Sequence, residues 1–187
     1  MLRREQCILR PLTPDDRDLL YRWRNSDRIR AVMFKKSLIP RPEHDLWFSR
    51  TLADRDSCYL IFLLSDRPCG LVNFPHINRS SGICRWGFYL GESGLPQGAG
   101  SAMGYLGLEQ GFSELQLQTV IGETLLENAR GIRFHERLRF ERQAELKPRP
   151  SSDLQDGVVE FQMHRRRWGS VRRELESSIF YPEGGHP

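Results

Sequence analysis

Eight residues, Leu95-Pro96-Gln97-Gly98-Ala99-Gly100-Ser101-Ala102, limit the folds open to this chain more than any other stretch. An apolar run, Ile83 to Leu90, precedes them, and a helical pattern reaching about Gln110 follows. Strand, glycine turn and helix is an order in which backbone can grip phosphate. Gly98 and Gly100 carry no Cβ, so a bulky anion can approach the main chain. The first N–H groups of the helix lack internal partners, and the helix dipole adds partial positive charge there. A diphosphate at that end would be held by backbone donors. The segment is not a dinucleotide fingerprint, because no third glycine stands at the required spacing and the strand lies mid-chain. It is not a Walker loop, because no Gly-Lys-Ser/Thr follows.

The surrounding pattern predicts an α/β chain. Cys7 to Arg10 reads as a first strand. Thr13-Pro14-Asp15-Asp16 is a helix start: a capping hydroxyl, proline at the first turn, and acids at the positive end. Leu19, Leu20 and Trp23 supply its buried stripe. A short helix over Asp27 to Val32 and a third over Glu43 to Leu52 follow, with His44, Trp47, Phe48 and Thr51 on one face. Cys58 to Leu64, Cys69 to Phe74 and Ile83 to Leu90 read as a three-strand meander that runs into the glycine loop. After the loop helix come a strand over Leu117 to Leu125, a helix capped by Asn128, and strands over Phe140 to Leu146 and Val158 to Met163. A polar loop, Lys147 to Gly157, separates the last two. Residues 169–187 read as a basic polar tail behind a domain of residues 1–168.

The chain's 187 residues suit one domain. Its net charge of +4 suits an anionic partner. The cysteines, Cys7, Cys58, Cys69 and Cys84, form no metal spacing and sit in apolar runs, which predicts reduced thiols, no metal and a cytoplasmic protein. The charged start, Met1 to Gln6, does not read as a signal peptide, and no run reaches the ~20 apolar residues of a membrane helix. The basic run His164 to Trp168 raises nucleic-acid binding as one reading. Because Lys and Arg are spread along the chain among 24 acids, the expectation is no nucleic-acid partner and no membrane partner.

The element order and the loop resemble the GNAT N-acetyltransferases, whose acyl-CoA loop reads Gln/Arg-x-x-Gly-x-Gly/Ala. Gly98 and Gly100 match; Leu95 stands at the Gln/Arg position, losing a side-chain anchor but keeping the backbone cradle. The resemblance implies a mixed, mostly antiparallel central sheet of about seven strands, flanked by helices and holding a splayed parallel pair. It implies acetyl-CoA as co-substrate, bound by residues 95 and 97–102 (Leu95, Gln97, Gly98, Ala99, Gly100, Ser101 and Ala102), by Asn128, and by exposed main chain at Phe88, Tyr89 and Leu90. His135 stands where the family usually has a tyrosine that protonates the leaving thiolate, and Arg139 replaces a glycine before Phe140. A base for the acceptor amine is open between Glu123 and His76, and Asn73 could orient the amine or a water.

Tyr21 to Asn25, Glu43 to Phe48, Gly70 to Phe74 and Trp86 to Leu90 together resemble the PseH-type acetyltransferases of pseudaminic acid biosynthesis. Those enzymes acetylate the 4-amine of a UDP-linked amino-deoxy sugar used in flagellin glycosylation. That resemblance implies Arg24 and His44 against the nucleotide, and Met33, Phe34, Trp47 and Trp86 along the apolar face of the sugar. A protein N-terminus as acceptor, as in ribosomal-protein acetyltransferases, stays open as the second reading, and a homodimer is compatible with either.

Overall fold

A computed structural model describes residues 1–146 and 157–182; most of the polar loop expected from Lys147 lies outside the described residues. Among the described residues, eight strands form two four-stranded sheets where one central sheet was expected. The first runs β1 (Cys7–Pro11), β2 (Cys58–Leu64), β3 (Arg67–Phe74) and β5 (Gly87–Leu90), all antiparallel. The second runs β4 (Ile83–Arg85), β6 (Thr119–Leu125), β8 (Val158–His164) and β7 (Glu141–Leu146). Only its β4–β6 pair is parallel.

The single strand expected over Ile83 to Leu90 is therefore two. Trp86 interrupts it, and each half joins a different sheet. The parallel ladder ends at Arg85 opposite Ile121, closed by Trp86 N–H to Ile121 O at 2.9 Å. From Gly87 onward β5 pairs with β3, and a gap opens beside β6.

Side-chain alternation divides the first sheet into two faces. Val72, Phe74 and Phe62 enter the main core with Trp86, α4 (Ala99–Glu109) and α6 (Arg165–Ile179). Ile61 and Leu71 face a second core with Leu20 and Trp23 of α1 (Arg17–Asn25) and Phe48 of α3 (Arg41–Ala53). The helix start at Thr13 forms as a capping box with Asp16, whose buried carboxylate also takes two 2.7 Å bonds from Arg10 of β1. That pair ties the first strand to the first helices. The short α2 (Asp27–Arg30) follows.

The expected tail is instead α6, which begins before residue 169 and packs on the main core. Trp168, Leu175, Ile179 and Phe180 are buried, and Phe180 bridges to Leu2. Residues 169–187 hold two arginines against three glutamates, so the segment is not basic either. Every third or fourth position is apolar, which is the spacing of a packed helix face. In the basic run ahead of it, Arg165 donates to Leu117 O and Phe112 O, and Arg167 donates to Arg139 O. Those side chains serve the fold.

Candidate active site

One cavity of about 650 Å³ opens where β5 leaves β6, and it is walled by both sheets and by the N-terminal helices. The loop helix meets it at Gly100 and Met103. Gly98 holds φ +94°, a left-handed turn that glycine adopts at little cost, and its C=O accepts from Ala102 N–H as the helix begins. Ala99 N–H bonds back to Pro96 O, while Gly100 and Ser101 N–H lie in the first turn, where no intrahelical acceptor exists. On the far side α5 (Ala129–Arg137) starts at Asn128, whose Oδ1 accepts from Gly131 N–H at 2.9 Å. Asn128 lines the cavity beside Thr124 and Leu125.

Between these two helix starts lies bare strand edge. Gly91 N–H donates to Cys69 O, so the antiparallel alternation turns the N–H groups of Gly87 and Tyr89 toward β3. Those of Phe88 and Leu90 then point at the gap. Arg28 donates to Leu90 O at 3.0 Å and Gly91 O at 2.7 Å, which fixes the end of β5. Phe88, Tyr89 and Leu90 all line the cavity. Of the loop residues 95–102, Gly100 alone reaches its wall; Leu95, Gln97, Ala99, Ser101 and Ala102 stand outside it.

The opposite end is aromatic and partly polar. Arg24, Met33, Phe34, His44, Trp47 and Trp86 all line it. Tyr59, which sequence reasoning missed, completes the wall with its ring 5.9 Å from that of Trp47. Its place in a continuously apolar strand gave no signal. Burial raises the Tyr59 and Tyr89 phenols above their usual pKa, so both stay protonated.

Among the described residues, four buried side-chain atoms make no hydrogen bond within the protein, Arg24 Nη1, His44 Nδ1, His44 Nε2 and Asn73 Oδ1, with Asp45 Oδ1 standing 3.8 Å from His44 Nδ1. All four belong to residues that line this cavity. His44 is 2% exposed, and burial lowers its pKa, which favours the neutral ring. Burial likewise lowers the Arg24 pKa. Such groups are costly unless a ligand or an ordered water bonds them.

Two expected catalytic residues do not belong here. His76 follows the end of β3, is exposed, and does not line the cavity. Its position just past an apolar strand suggested otherwise, but the chain turns away at Pro75. His135 is fully buried behind Trp86 and Gly122, and it does not line the cavity either. Nδ1 donates to Gly131 O at 2.9 Å, and Nε2 accepts from Trp86 Nε1–H at 3.3 Å. Burial drives its pKa to about 4. Both nitrogens are used, and the one proton of the neutral ring is committed to Gly131 O, away from the cavity. A Cβ on Gly122 would lie 2.1 Å from His135 Nε2, so that glycine makes room for the ring.

Glu123 does line the cavity, on β6. Arg85 Nε donates to its Oε1 at 3.0 Å, and the same guanidinium stands 3.5 Å from Glu160. Four arginines, Arg24, Arg28, Arg85 and Arg130, stand around the cavity against two carboxylates, Glu43 and Glu123. Among the described residues no group of three or more His, Cys, Asp or Glu could hold a metal, and no helix is long and apolar enough to cross a membrane.

The family model described as the acetyltransferase (GNAT) domain matches residues 6–141. No curated protein matches the chain. Among solved structures, spermidine N-acetyltransferase from Vibrio cholerae, in complex with CoA and spermine, aligns with a TM-score of 0.80 at 16% identity. That alignment covers 88% of this chain and 98% of the other. The aminoglycoside acetyltransferase AAC(6')-Ib, in complex with coenzyme A and kanamycin, aligns with a TM-score of 0.75 at 20% identity. It covers 89% of this chain and 99% of the other. At such identities the likeness is one of fold.

Proposed function

The chain belongs to the acetyltransferase (GNAT) domain family and is an N-acetyltransferase that uses acetyl-CoA, and from that premise we propose that its acceptor is the 4-amine of a UDP-linked amino-deoxy sugar. The observation that carries the reading is the set of unpartnered buried groups on Arg24, His44 and Asn73, gathered in one aromatic-walled cavity. Phosphate or uracil oxygens would satisfy Arg24 Nη1, and a neutral imidazole offers one donor and one acceptor to a nucleotide. Met33, Phe34, Trp47 and Tyr59 give the apolar wall that the methyl and CH faces of a deoxy sugar require. The two solved relatives were crystallised with spermine and kanamycin, both cationic, whereas arginine outnumbers acid around this cavity. That balance favours an anionic acceptor.

The CoA diphosphate would rest on the N–H groups of Gly100 and Ser101. Phe88 and Leu90 N–H would bond the pantetheine and the thioester oxygen, where they stabilise the charge that builds as the amine attacks. Arg24 and His44 hold the nucleotide, so acceptor and thioester meet at the gap in one ternary complex. Glu123, on the cavity wall with its Oε1 bonded by Arg85, would take the amine's proton through a water. Reaction in a cytoplasmic setting fits the four free cysteines.

The experiment is CoA release from acetyl-CoA with a UDP-4-amino-4,6-dideoxy sugar, run beside spermidine, kanamycin and an N-terminal ribosomal-protein peptide. Turnover with the sugar nucleotide above the others supports the reading. A preference for the peptide replaces it with the protein-acceptor alternative, and preference for a polyamine removes it.

A further inference from the structure

Asn73 and Gly87 stand directly opposite each other on β3 and β5, with both on the second-core face of the first sheet. A Cβ built on Gly87 would lie 2.4 Å from Asn73 Oδ1. The carboxamide therefore occupies the space that any other residue at position 87 would fill. Gly87 is also the first residue past the last bond between the sheets, Trp86 N–H to Ile121 O. Asn73 Oδ1 is thus seated at the point of strand separation, buried, and without a donor from the protein. Both residues line the cavity.

The nearby main chain cannot supply the missing donor. Gly87 and Tyr89 N–H are spent on β3, and those of Phe88 and Leu90 face the gap. A ligand group with an N–H to give would supply that donor. A neutral primary amine carries two N–H donors and one lone pair. We infer that Asn73 Oδ1, seated by the missing Cβ of Gly87, accepts one N–H of the acceptor amine and turns its lone pair toward the thioester carbon. The N–C bond forms as the C–S bond breaks. The amine's surplus proton ends on the CoA sulfur by way of water, and the carboxamide itself takes none. The inference rests on N-acetyl transfer and not on which amine is the acceptor.

The test uses the whole chain as wild type, Asn73→Ala, Gly87→Ala and the double variant. The substrate is whichever amine the wild type acetylates in the comparison above. Gly87→Ala meets only the end of a flexible side chain, so it displaces the carboxamide and leaves the fold in place; a thermal melt checks this. Each single variant is expected to lose about tenfold or more in kcat, the scale of one lost hydrogen bond to a reacting group, with acetyl-CoA binding unchanged. The double variant is expected to be no slower than either single one, because both remove the same contact. Acetyl-CoA hydrolysis, in which water takes the amine's place, is the second readout and should slow in parallel. Full activity in Asn73→Ala, or losses that multiply in the double variant, would overturn the inference. Turnover of a different amine would remove the sugar reading and leave this one standing; sugar turnover unaffected by both variants would do the reverse.

Discussion

Trp86 Nε1 donates to His135 Nε2 across 3.3 Å in the buried core, and Trp86 is the residue at which one strand divides between two sheets. The bond locks the indole in place beside Phe140, 5.2 Å away and stacked. A histidine that sequence resemblance placed in chemistry is thereby a structural partner of the strand break.

His135 should therefore govern acid stability. Its pKa is about 4 in the fold and near 6.5 when unfolded. The unfolded chain takes up the proton first, so the stability that neutral His135 contributes is complete above pH 6.5 and fades as pH falls toward 4. The loss is on the order of 3 kcal/mol. Buried His44 acts in the same direction. Urea midpoints at pH 7.5 and pH 5 should converge in His135→Gln relative to wild type. That variant should be less stable at neutral pH, because Trp86 Nε1–H loses a well-placed acceptor, while the pH dependence of turnover stays as in wild type.

The glycine loop separates binding from folding. A Cβ at Gly100 meets Leu90 Cδ1 at 3.7 Å and Phe134 at 4.0 Å, both ordinary contacts. Gly100→Val should keep the melting temperature within a few degrees and lose acetyl-CoA affinity by at least tenfold in calorimetry. Gly98→Ala should behave in the opposite way, costing ~1 kcal/mol through its left-handed φ while retaining measurable affinity.

Arg24 answers for the acceptor. Its Nη2 donates to Lys35 O at 2.8 Å, but Nη1 is buried and unpartnered. Arg24→Met keeps the aliphatic stem and removes the charge. The KM for the acceptor should rise at least tenfold, the acetyl-CoA KM should hold, and stability should change little because no protein carboxylate is left behind. A charge-assisted hydrogen bond is worth ~1.5–3 kcal/mol, which sets that scale.

The last helix is part of the core. Leu175 is 4% exposed and Ile179 is 8% exposed, both against the main cluster. Leu175→Ala should cost ~2–5 kcal/mol in denaturant unfolding. Truncation after Met163, which also removes Trp168 and Phe180, should leave no cooperative transition.

Local chemistry written along the chain was enough for most elements. Thr13 and Asn128 cap helices because their side chains reach main-chain N–H groups a few residues on, and a sequence displays that spacing directly. Gly98 announces a turn open to an anion, and the apolar runs announce strands. These features, with the order of elements, also carried the acetyltransferase resemblance and some of the residues that line the cavity. The fate of Ile83 to Leu90 was not written locally. Its apolar pattern suits one strand as well as two, and the division at Trp86 follows from partners far away: His135 behind it, Asn73 opposite Gly87, and Ile121 releasing it. The same reason misled the reading of residues 169–187, where Val171, Leu175 and Ile179 among charges became a packed helix face only once the core offered them a seat. Propensity and capping act within a few residues and are legible in order of sequence; burial of His135, exposure of His76 and the orphaned oxygen of Asn73 depend on which distant surfaces meet, and only the folded chain decides that.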